Sequence, residues 1–269
     1  MERQLKVSVV IPCFNQGAYV EEAVKSVLLQ SFDDYEIIIV NDGSTDVETN
    51  RILSGFENQK IRVLHTENMG LASARNNGIR EARGTYILPL DADDRIGPTY
   101  LEKAVDYFDR MPDVGIVYCY AEFFGDRQGQ WYMPEFSLRW MLFSNLIFCS
   151  AFFRKDDWER AGGYNPNMSR GLEDWDFWLA ILELGKGVYC IPDVLFYYRV
   201  REESMLRSMN RDVHVEMHLQ IMRNHPQLFI DHIQPLLVIY YRLLDSSLYV
   251  TLKRLNLFSF IWKILRHRS

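Results

Sequence analysis

The chain has 269 residues, 48% hydrophobic and 25% charged, which is the composition of an ordinary globular protein. Its net charge of −6 argues against a general nucleic-acid-binding surface, so no nucleic-acid partner is expected. The four cysteines are scattered without a CxxC pair, which excludes thiolate metal sites of that spacing and makes a disulfide framework unexpected. There is neither a signal-peptide core nor an apolar run long enough to cross a bilayer, so we expect a cytoplasmic protein.

The first ninety residues alternate between apolar strand-like segments and segments with helical spacing. Strands are predicted at 7–11, 35–40, 61–64 and 86–90, with Pro12 ending the first of them. Helices are predicted over 18–29, from about residue 47, and after a polar loop at 67–78. This order predicts an α/β fold with a mainly parallel sheet flanked by helices.

The second half is less regular. It contains a predicted helix after Pro98, a strand at 114–120, a hairpin or loop at 122–134, a helix at 173–184, and strands at 188–192 and 196–200. The aromatic-rich region 136–161 has no clear period and is not assigned. From residue 212 the pattern is helical, so we expect an α/β domain over 1–205 and a helical C-terminal extension over 206–269, with the boundary near Met205.

Three carboxylates, Asp91, Asp93 and Asp94, follow the fourth predicted strand. Open α/β sheets bind ligands beyond the carboxyl ends of their strands, and clustered carboxylates suit a hard divalent cation. Aspartates are also common helix caps and turn residues, so on this stretch alone a metal site and an exposed acidic turn remain equally open. Because no GxGxxG or Walker A sequence is present, the two common phosphate-binding loops are excluded.

Five motifs in order are typical of one known family. They are Val-Ser-Val-Val-Ile-Pro-Cys-Phe-Asn, Asn-Asp-Gly-Ser-Thr-Asp, Asn-Met-Gly-Leu-Ala-Ser-Ala-Arg-Asn, Leu-Asp-Ala-Asp-Asp, and Gly-Gly-Tyr followed by Glu-Asp-Trp-Asp-Phe-Trp. The set resembles the family 2 glycosyltransferases of the GT-A fold, over residues 7 to about 205. The resemblance implies inverting transfer of a sugar from a nucleotide-diphosphate donor, with UDP as the expected nucleotide, to a hydroxyl of a glycan or glycolipid.

The resemblance also implies which residues bind the nucleotide. Asp42 matches the carboxylate that hydrogen-bonds the nucleobase, and Pro12 and Phe14 match the loop beside it, although a core role for Phe14 is equally open. Arg75 matches an arginine on the nucleotide side, where a guanidinium makes charge-assisted bonds to phosphate. Asp91 matches the carboxylate near the ribose and the metal.

Metal and catalytic positions follow from the last two motifs. Asp93 matches the direct ligand of Mn²⁺ or Mg²⁺, together with Asp91, whereas Asp94 is either a supporting residue or a helix cap. Asp174 is the candidate general base that removes the proton of the acceptor hydroxyl. Glu173 is a further candidate near the acceptor and donor sugar. Carboxylates in a first helical turn also complement the helix dipole, and Glu173 and Asp176 have that simpler alternative.

Two further positions, Trp175 and Gly163, are also assigned to binding of the sugar and the acceptor. Trp175 is predicted either to stack on a sugar or, with Trp178, to pack its helix on the sheet. Gly163 matches the loop near the donor sugar, and its simpler alternative is a turn that needs positive φ.

One position departs from the family pattern. Arg201 stands where family members often carry a histidine, which serves either as a further metal ligand or as a contact to the diphosphate, and arginine cannot ligate a metal. We expect Arg201 to bind the diphosphate directly and to replace part of the metal charge. Arg199, Arg201 and Arg207 form either a lid over the donor or a solvated charged loop.

The last residues, 251–269, contain five basic residues and no acidic one, with apolar residues on one helical face. This pattern favours peripheral contact with an anionic membrane, such as the inner face of the cytoplasmic membrane, where a lipid-linked acceptor would be found. The alternative is a helix that packs on its own domain or on a second subunit. An alternative for the whole chain is a non-catalytic sugar-nucleotide or glycan-binding module on the same fold.

Overall fold

The computed structural model of the protein describes residues 5–201 and 210–245. The chain divides into two compact units, Met1–Asn224 and His225–Ser269, and the second contains the helix Pro226–Leu244. Among the described residues, no helix combines the length and the apolar composition that crossing a bilayer requires. The boundary expected near Met205 and the basic segment 251–269 lie outside the described residues.

The first half of the chain forms the parallel part of one sheet. Its strands are β1 (Leu5–Cys13), β2 (Tyr35–Asp42), β3 (Ile61–Thr66) and β4 (Gly84–Pro89), which lie side by side in the order β3-β2-β1-β4. Every residue of β2 is buried, as expected of a central strand covered on both faces. The helices α1 (Gly17–Leu28), α2 (Val47–Ser54) and α3 (Leu71–Arg80) connect these strands.

Two boundaries differ from the predictions. β1 continues through Pro12, which lies opposite Val40 of β2. On the other side, the pairing of β1 with β4 ends at Val10. Pro12 therefore has a strand on one side only, where a missing N–H is tolerated. Helix α3 begins at Leu71, inside the segment predicted as a loop. It lies close on the sheet because Gly78 has no Cβ, which would overlap the side chain of Val10.

The second half of the sheet is mixed. It consists of β5 (Arg95–Ile96), β6 (Val114–Gly125), β7 (Gly129–Trp131), β8 (Phe152–Arg154) and β9 (Gly187–Val200). The sheet order continues from β4 through β8, β6 and β9 to β5, and β7 pairs with β6 in the predicted hairpin. β8 is antiparallel to both β4 and β6, whereas β6 and β9 are parallel. The predicted α/β class, with parallel strands in the first half of the sheet and helices beside it, is confirmed.

β9 unites the two strands predicted at 188–192 and 196–200. Its register against β6 shifts near Tyr120, so that Ile191 pairs with Cys119 and Val194 with Tyr120. Pro192 falls inside this irregularity, where a residue without an N–H breaks no ladder bond. The long strand carries its last residues, including Arg199, to the edge where the acidic cluster lies.

Further helices and a small aromatic core belong to the first unit. The helices are α4 (Tyr100–Arg110), α5 (Leu138–Met141), α6 (Lys155–Ala161) and α7 (Glu173–Glu183), followed by the helix Arg211–Asn224. Phe177 of α7 packs edge-on against Phe153 of β8, with ring centroids 4.9 Å apart, and against Tyr164 at 4.2 Å. These contacts fix the N-terminal turn of α7 beside the end of β4.

Candidate active site

The loops after β1 and β2 are joined at the carboxyl edge of the parallel strands. Asn15 has a left-handed backbone (φ 53°), and its side-chain oxygen accepts hydrogen bonds from the N–H groups of Thr45 (2.8 Å) and Asp46 (2.9 Å). The preceding Phe14 is 44% exposed at this edge, so its ring is accessible to a ligand. Asn15 was not among the predicted site residues, although it is the last residue of the first of the five motifs.

Asp42, at the end of β2, is buried and holds the loop that precedes α3. Its two carboxylate oxygens accept hydrogen bonds from the N–H groups of Met69 (3.2 Å) and Gly70 (3.1 Å). The oxygen bound by Met69 also accepts a long hydrogen bond from the hydroxyl of Thr66 (3.4 Å). The oxygen bound by Gly70 keeps a second lone pair, so the carboxylate can accept a bond from a ligand there.

Arg75 links three elements through its guanidinium. The side chain is 1% exposed, and it donates to Asp91 at the end of β4 (2.7 Å) and to Glu173 at the start of α7. Burial by itself would lower the pKa of Arg75, but the two carboxylates raise it well above its ordinary value. The resemblance implied an arginine on the nucleotide side, whereas the structure shows a buried bridge between the acidic motif and the N-terminal turn of α7.

Asp91, Asp94 and Cys149 form a compact cluster, in which one potential ligand atom from each residue lies within 4.8 Å of the others. The Cys149 thiol donates to Asp91 (3.3 Å), and one oxygen of Asp94 accepts from the N–H of Arg199 (2.8 Å). The other Asp94 oxygen is buried without a hydrogen-bond partner among the described residues. Burial, with the charges of Asp93 and Asp91, raises the pKa of Asp94 well above its ordinary range.

This cluster fits a hard divalent cation. Its carboxylate oxygens are the donors that Mg²⁺ and Mn²⁺ prefer, and the buried, unpaired Asp94 oxygen is the kind of atom that a cation satisfies. The Cys149 thiol is a softer donor, and burial raises its pKa well above the ordinary value, so it stays protonated. Sequence reasoning paired Asp91 with Asp93, whereas the structure groups Asp91 with Asp94.

Asp93 faces a guanidinium instead. Its carboxylate pairs with Arg201 at 2.6 Å, and burial followed by the charge of Asp91 raises its pKa above the ordinary value. Arg199 donates from Nε to the Asp93 carbonyl (2.8 Å) and also binds Glu22 of α1. Arg207, the third predicted lid residue, lies outside the described residues.

Helix α1 supplies a platform for both arginines that sequence reasoning missed. The guanidinium carbons of Arg199 and Arg201 each lie 5.0 Å from the centroid of the Tyr19 ring. Glu22, one turn further along, accepts from Arg199. In the sequence, these residues form an ordinary polar face of a helix without a motif.

Asp174 lies in the first turn of α7 and is only partly exposed. One carboxylate oxygen accepts from the N–H of Trp175 (2.8 Å), and the other accepts from the side chain of Asn145 (3.0 Å). Burial, followed by repulsion from Glu173, raises the pKa of Asp174 to about 7, although Arg75 opposes the change. A carboxylate with a pKa near neutrality is well matched to proton abstraction.

The segment between β7 and β8 was unassigned, and it lines the site. Asn145 binds Asp174, Cys149 binds Asp91, and the carbonyl of Met141 accepts from the indole of Trp175 (2.7 Å). The segment lacks a regular period because its residues alternate irregularly between these polar contacts and the core.

Trp175 and Gly163 have structural contacts. Trp175 is 1% exposed and Trp178 is fully buried, so the packing alternative describes both indoles in this structure. Gly163 (φ 79°) lies against Asn76, whose side-chain oxygen accepts from the indole of Trp158 (3.0 Å). Direct contacts of Gly163 and Trp175 with a sugar remain predictions.

Comparison with known proteins places the chain among glycosyltransferases. A family model described as "Glycosyl transferase family 2" matches residues 8–169. Chondroitin synthase of Escherichia coli is 29% identical over 230 residues, which cover 82% of this chain but 32% of that protein. Glycosyltransferase GlyG of Streptococcus pneumoniae is 30% identical over 221 residues, which cover 75% of this chain and 73% of that protein. The chain thus spans about a third of the synthase and most of GlyG.

Solved structures show the same fold. TarS 1–349 of S. aureus in complex with UDP aligns with a TM-score of 0.68 and 21% identity, over 90% of this chain and 73% of that one. TarS 1–349 in complex with UDP-GlcNAc aligns with a TM-score of 0.67 and 21% identity, over 82% and 66%. At this identity, the likeness establishes the architecture.

Proposed function

The chain belongs to glycosyl transferase family 2 and is a transferase of the GT-A fold, and from this premise we propose that it moves a sugar from a UDP-linked donor to a hydroxyl of a glycan or glycolipid, with inversion at the anomeric carbon. The carrying observation is that Arg75 joins the Asp91 cluster to the helix turn bearing Asp174, a carboxylate with a pKa of about 7. This bridge supports the proposal because one buried side chain joins the proposed leaving-group site to the turn that carries the proposed base.

The donor is proposed to be UDP-linked because TarS was solved with UDP and with UDP-GlcNAc. In the proposed complex, Asp42 accepts the N3–H of the uracil, and the loop of Pro12 and Phe14 lies beside the base. Support comes from the spare lone pair on the Asp42 oxygen that Gly70 binds and from the exposed ring of Phe14.

Asp91, Asp93 and Asp94 are proposed to hold Mn²⁺ or Mg²⁺. When bound, the cation would supply positive charge to the diphosphate as it leaves. Arg201 and Arg199 add permanent positive charge at the same edge of the sheet. The chain's own part in departure of the nucleotide is to place these charges before the glycosidic bond breaks.

Asp174 is proposed to be the general base. Its carboxylate takes the proton of the acceptor hydroxyl while the hydroxyl oxygen bonds to the anomeric carbon. The bond from that carbon to the diphosphate oxygen breaks, and its electron pair leaves with UDP. Asn145 holds one oxygen of Asp174 in a fixed direction, and the N–H of Trp175 holds the other.

A donor screen tests this proposal. Full-length protein is incubated with UDP-, GDP- and dTDP-sugars, with and without Mn²⁺, and donor hydrolysis is measured for wild type, Asp174→Asn and Asp176→Asn. Asp176 is the matched control because it is a buried acid of the same helix that binds Asn224 (2.7 Å), away from the base. We expect UDP-sugars to be preferred, and we expect hydrolysis of the UDP-sugar to fall strongly in Asp174→Asn but not in Asp176→Asn. Full turnover by Asp174→Asn with a true acceptor would refute its role as base.

The acceptor is proposed to be a growing polysaccharide or a lipid-linked glycan, supported by the relatives named chondroitin synthase and hyaluronan synthase. The proposed membrane contact through residues 251–269 falls outside the described residues and rests on their basic, amphipathic sequence. Binding to anionic liposomes by the full chain and by a form ending near Leu248 tests that contact. Equal binding by both forms would contradict it.

A further inference from the structure

We propose that Arg201 is an internal competitor of the divalent cation: in the donor-free protein its guanidinium occupies Asp93, and cation binding must displace it. The inference rests on the proposed function, because it concerns the same acidic cluster. It assigns to Arg201 a positioning role that differs from simple attraction of phosphate.

The competition follows from the pairing at Asp93. The Arg201 guanidinium lies 2.6 Å from an Asp93 oxygen, and the two side chains are 27% and 15% exposed. This partial burial makes the charge-assisted bond stronger than a solvent-exposed ion pair. A divalent cation bound to the Asp93 carboxylate would lie close to the positively charged guanidinium of Arg201. The cation and Arg201 therefore cannot both bind this carboxylate in the present arrangement.

Arg199 and Arg201 make different contacts with the acidic turn. The N–H and Nε groups of Arg199 bind Asp94 and the Asp93 carbonyl, and its guanidinium also binds Glu22, so Arg199 is tied to both ends of the acidic turn. Arg201 binds the Asp93 carboxylate and lies over the Tyr19 ring. A cation–π contact tolerates many orientations of the guanidinium, so the contact with Tyr19 can persist when the guanidinium turns from Asp93 toward a ligand.

Displacement would give Arg201 opposite effects on two ligands. When a cation takes Asp93, the guanidinium is released beside a diphosphate, whose oxygens match the planar fork of arginine. Arg201 therefore weakens cation binding in the donor-free protein and strengthens nucleotide binding. It also makes the two ligands bind with positive coupling, since each favours the released arginine.

Mn²⁺ affinity of the donor-free, full-length protein is the direct test, measured from the electron paramagnetic resonance signal of free Mn²⁺. We expect Arg201→Gln to tighten Mn²⁺ binding about tenfold, as expected for loss of one charge-assisted bond. Arg201→Lys, which keeps the charge, should remain near wild type. Arg95→Gln is the matched control, because Arg95 is a nearby arginine that pairs with Glu22 rather than with Asp93.

UDP affinity is measured by calorimetry on the same proteins, and Arg201→Gln is expected to weaken it about tenfold. Unchanged or weaker Mn²⁺ binding by Arg201→Gln, or no Mn²⁺ binding by either wild type or Arg201→Gln, overturns the competition. An equal gain in Mn²⁺ affinity in Arg95→Gln also overturns it, because the gain would then follow from the loss of any positive charge rather than from the pairing with Asp93. Transfer from a UDP-sugar is assayed separately, so failure of the proposed activity is distinguishable from failure of the competition.

Discussion

Replacing Asp174 by asparagine should remove activity and stabilise the protein above neutral pH. Burial raises the pKa of Asp174 from 3.8 to about 7 in the folded state. A raised pKa means that the folded protein favours the protonated carboxyl, so its contribution to stability is complete below about pH 4 and is lost as the pH rises to about 7. An asparagine amide at this position stays neutral throughout and avoids this loss.

The magnitude follows from the size of the change in pKa. A difference of about three pH units corresponds to about 4 kcal/mol at pH 8, which is an upper bound because Asp174 is partly exposed. The two oxygens of Asp174 accept from Asn145 and from the N–H of Trp175, whereas an asparagine amide has a single acceptor oxygen, so one of these two hydrogen bonds is lost. We therefore expect a net gain of about 1–2 kcal/mol at pH 8, or about 2–8 °C in Tm.

Thermal unfolding at pH 5 and pH 8 checks this expectation, with Asp176→Asn as the control. Asp174→Asn should raise the Tm at pH 8 and have little effect at pH 5, while transfer falls by about 10²–10⁴-fold. Asp176→Asn should lower the Tm at both pH values, because its side chain binds Asn224. A Tm change of the same size at both pH values would refute the reasoning from burial.

Three further outcomes are expected. Asn145→Ala removes a hydrogen bond to Asp174, so the rising limb of the kcat–pH profile should move up by about half a pH unit or more; an unchanged limb would exclude a positioning role. Arg75→Met removes the ion-pair partner of the buried Glu173 and of the partly buried Asp91, and should cost about 3–5 kcal/mol in urea unfolding, whereas Arg170→Gln, in an exposed pair, should cost under about 1 kcal/mol. Gly78→Ala places a Cβ against a β1 side chain and should cost about 1–3 kcal/mol, seen as a lower Tm; an unchanged Tm would contradict the close packing of α3.

The succession of the first four strands along the chain, and the positions of Asp42 and Asp91 at strand ends, were predictable from the sequence. Hydrophobic runs and turn residues are local signals, and parallel strands place their carboxyl ends at one edge. The helix of Asp174 was equally clear from its period. The region 136–161 was not predictable, because its short elements have no period and are held by contacts with α7 and β4.

Partner choice among the charged side chains was decided only by the tertiary structure. Arg75 and Glu173 are 98 residues apart in the chain, yet they share a buried bond because α3 and α7 flank the same strand end. Arg201 meets Asp93 because β9 continues past an internal proline to that edge. The sequence alone therefore determined which charges the site contains, whereas sheet order and burial determined which of them neutralise one another, since Coulomb energies depend on distance and dielectric rather than on spacing along the chain.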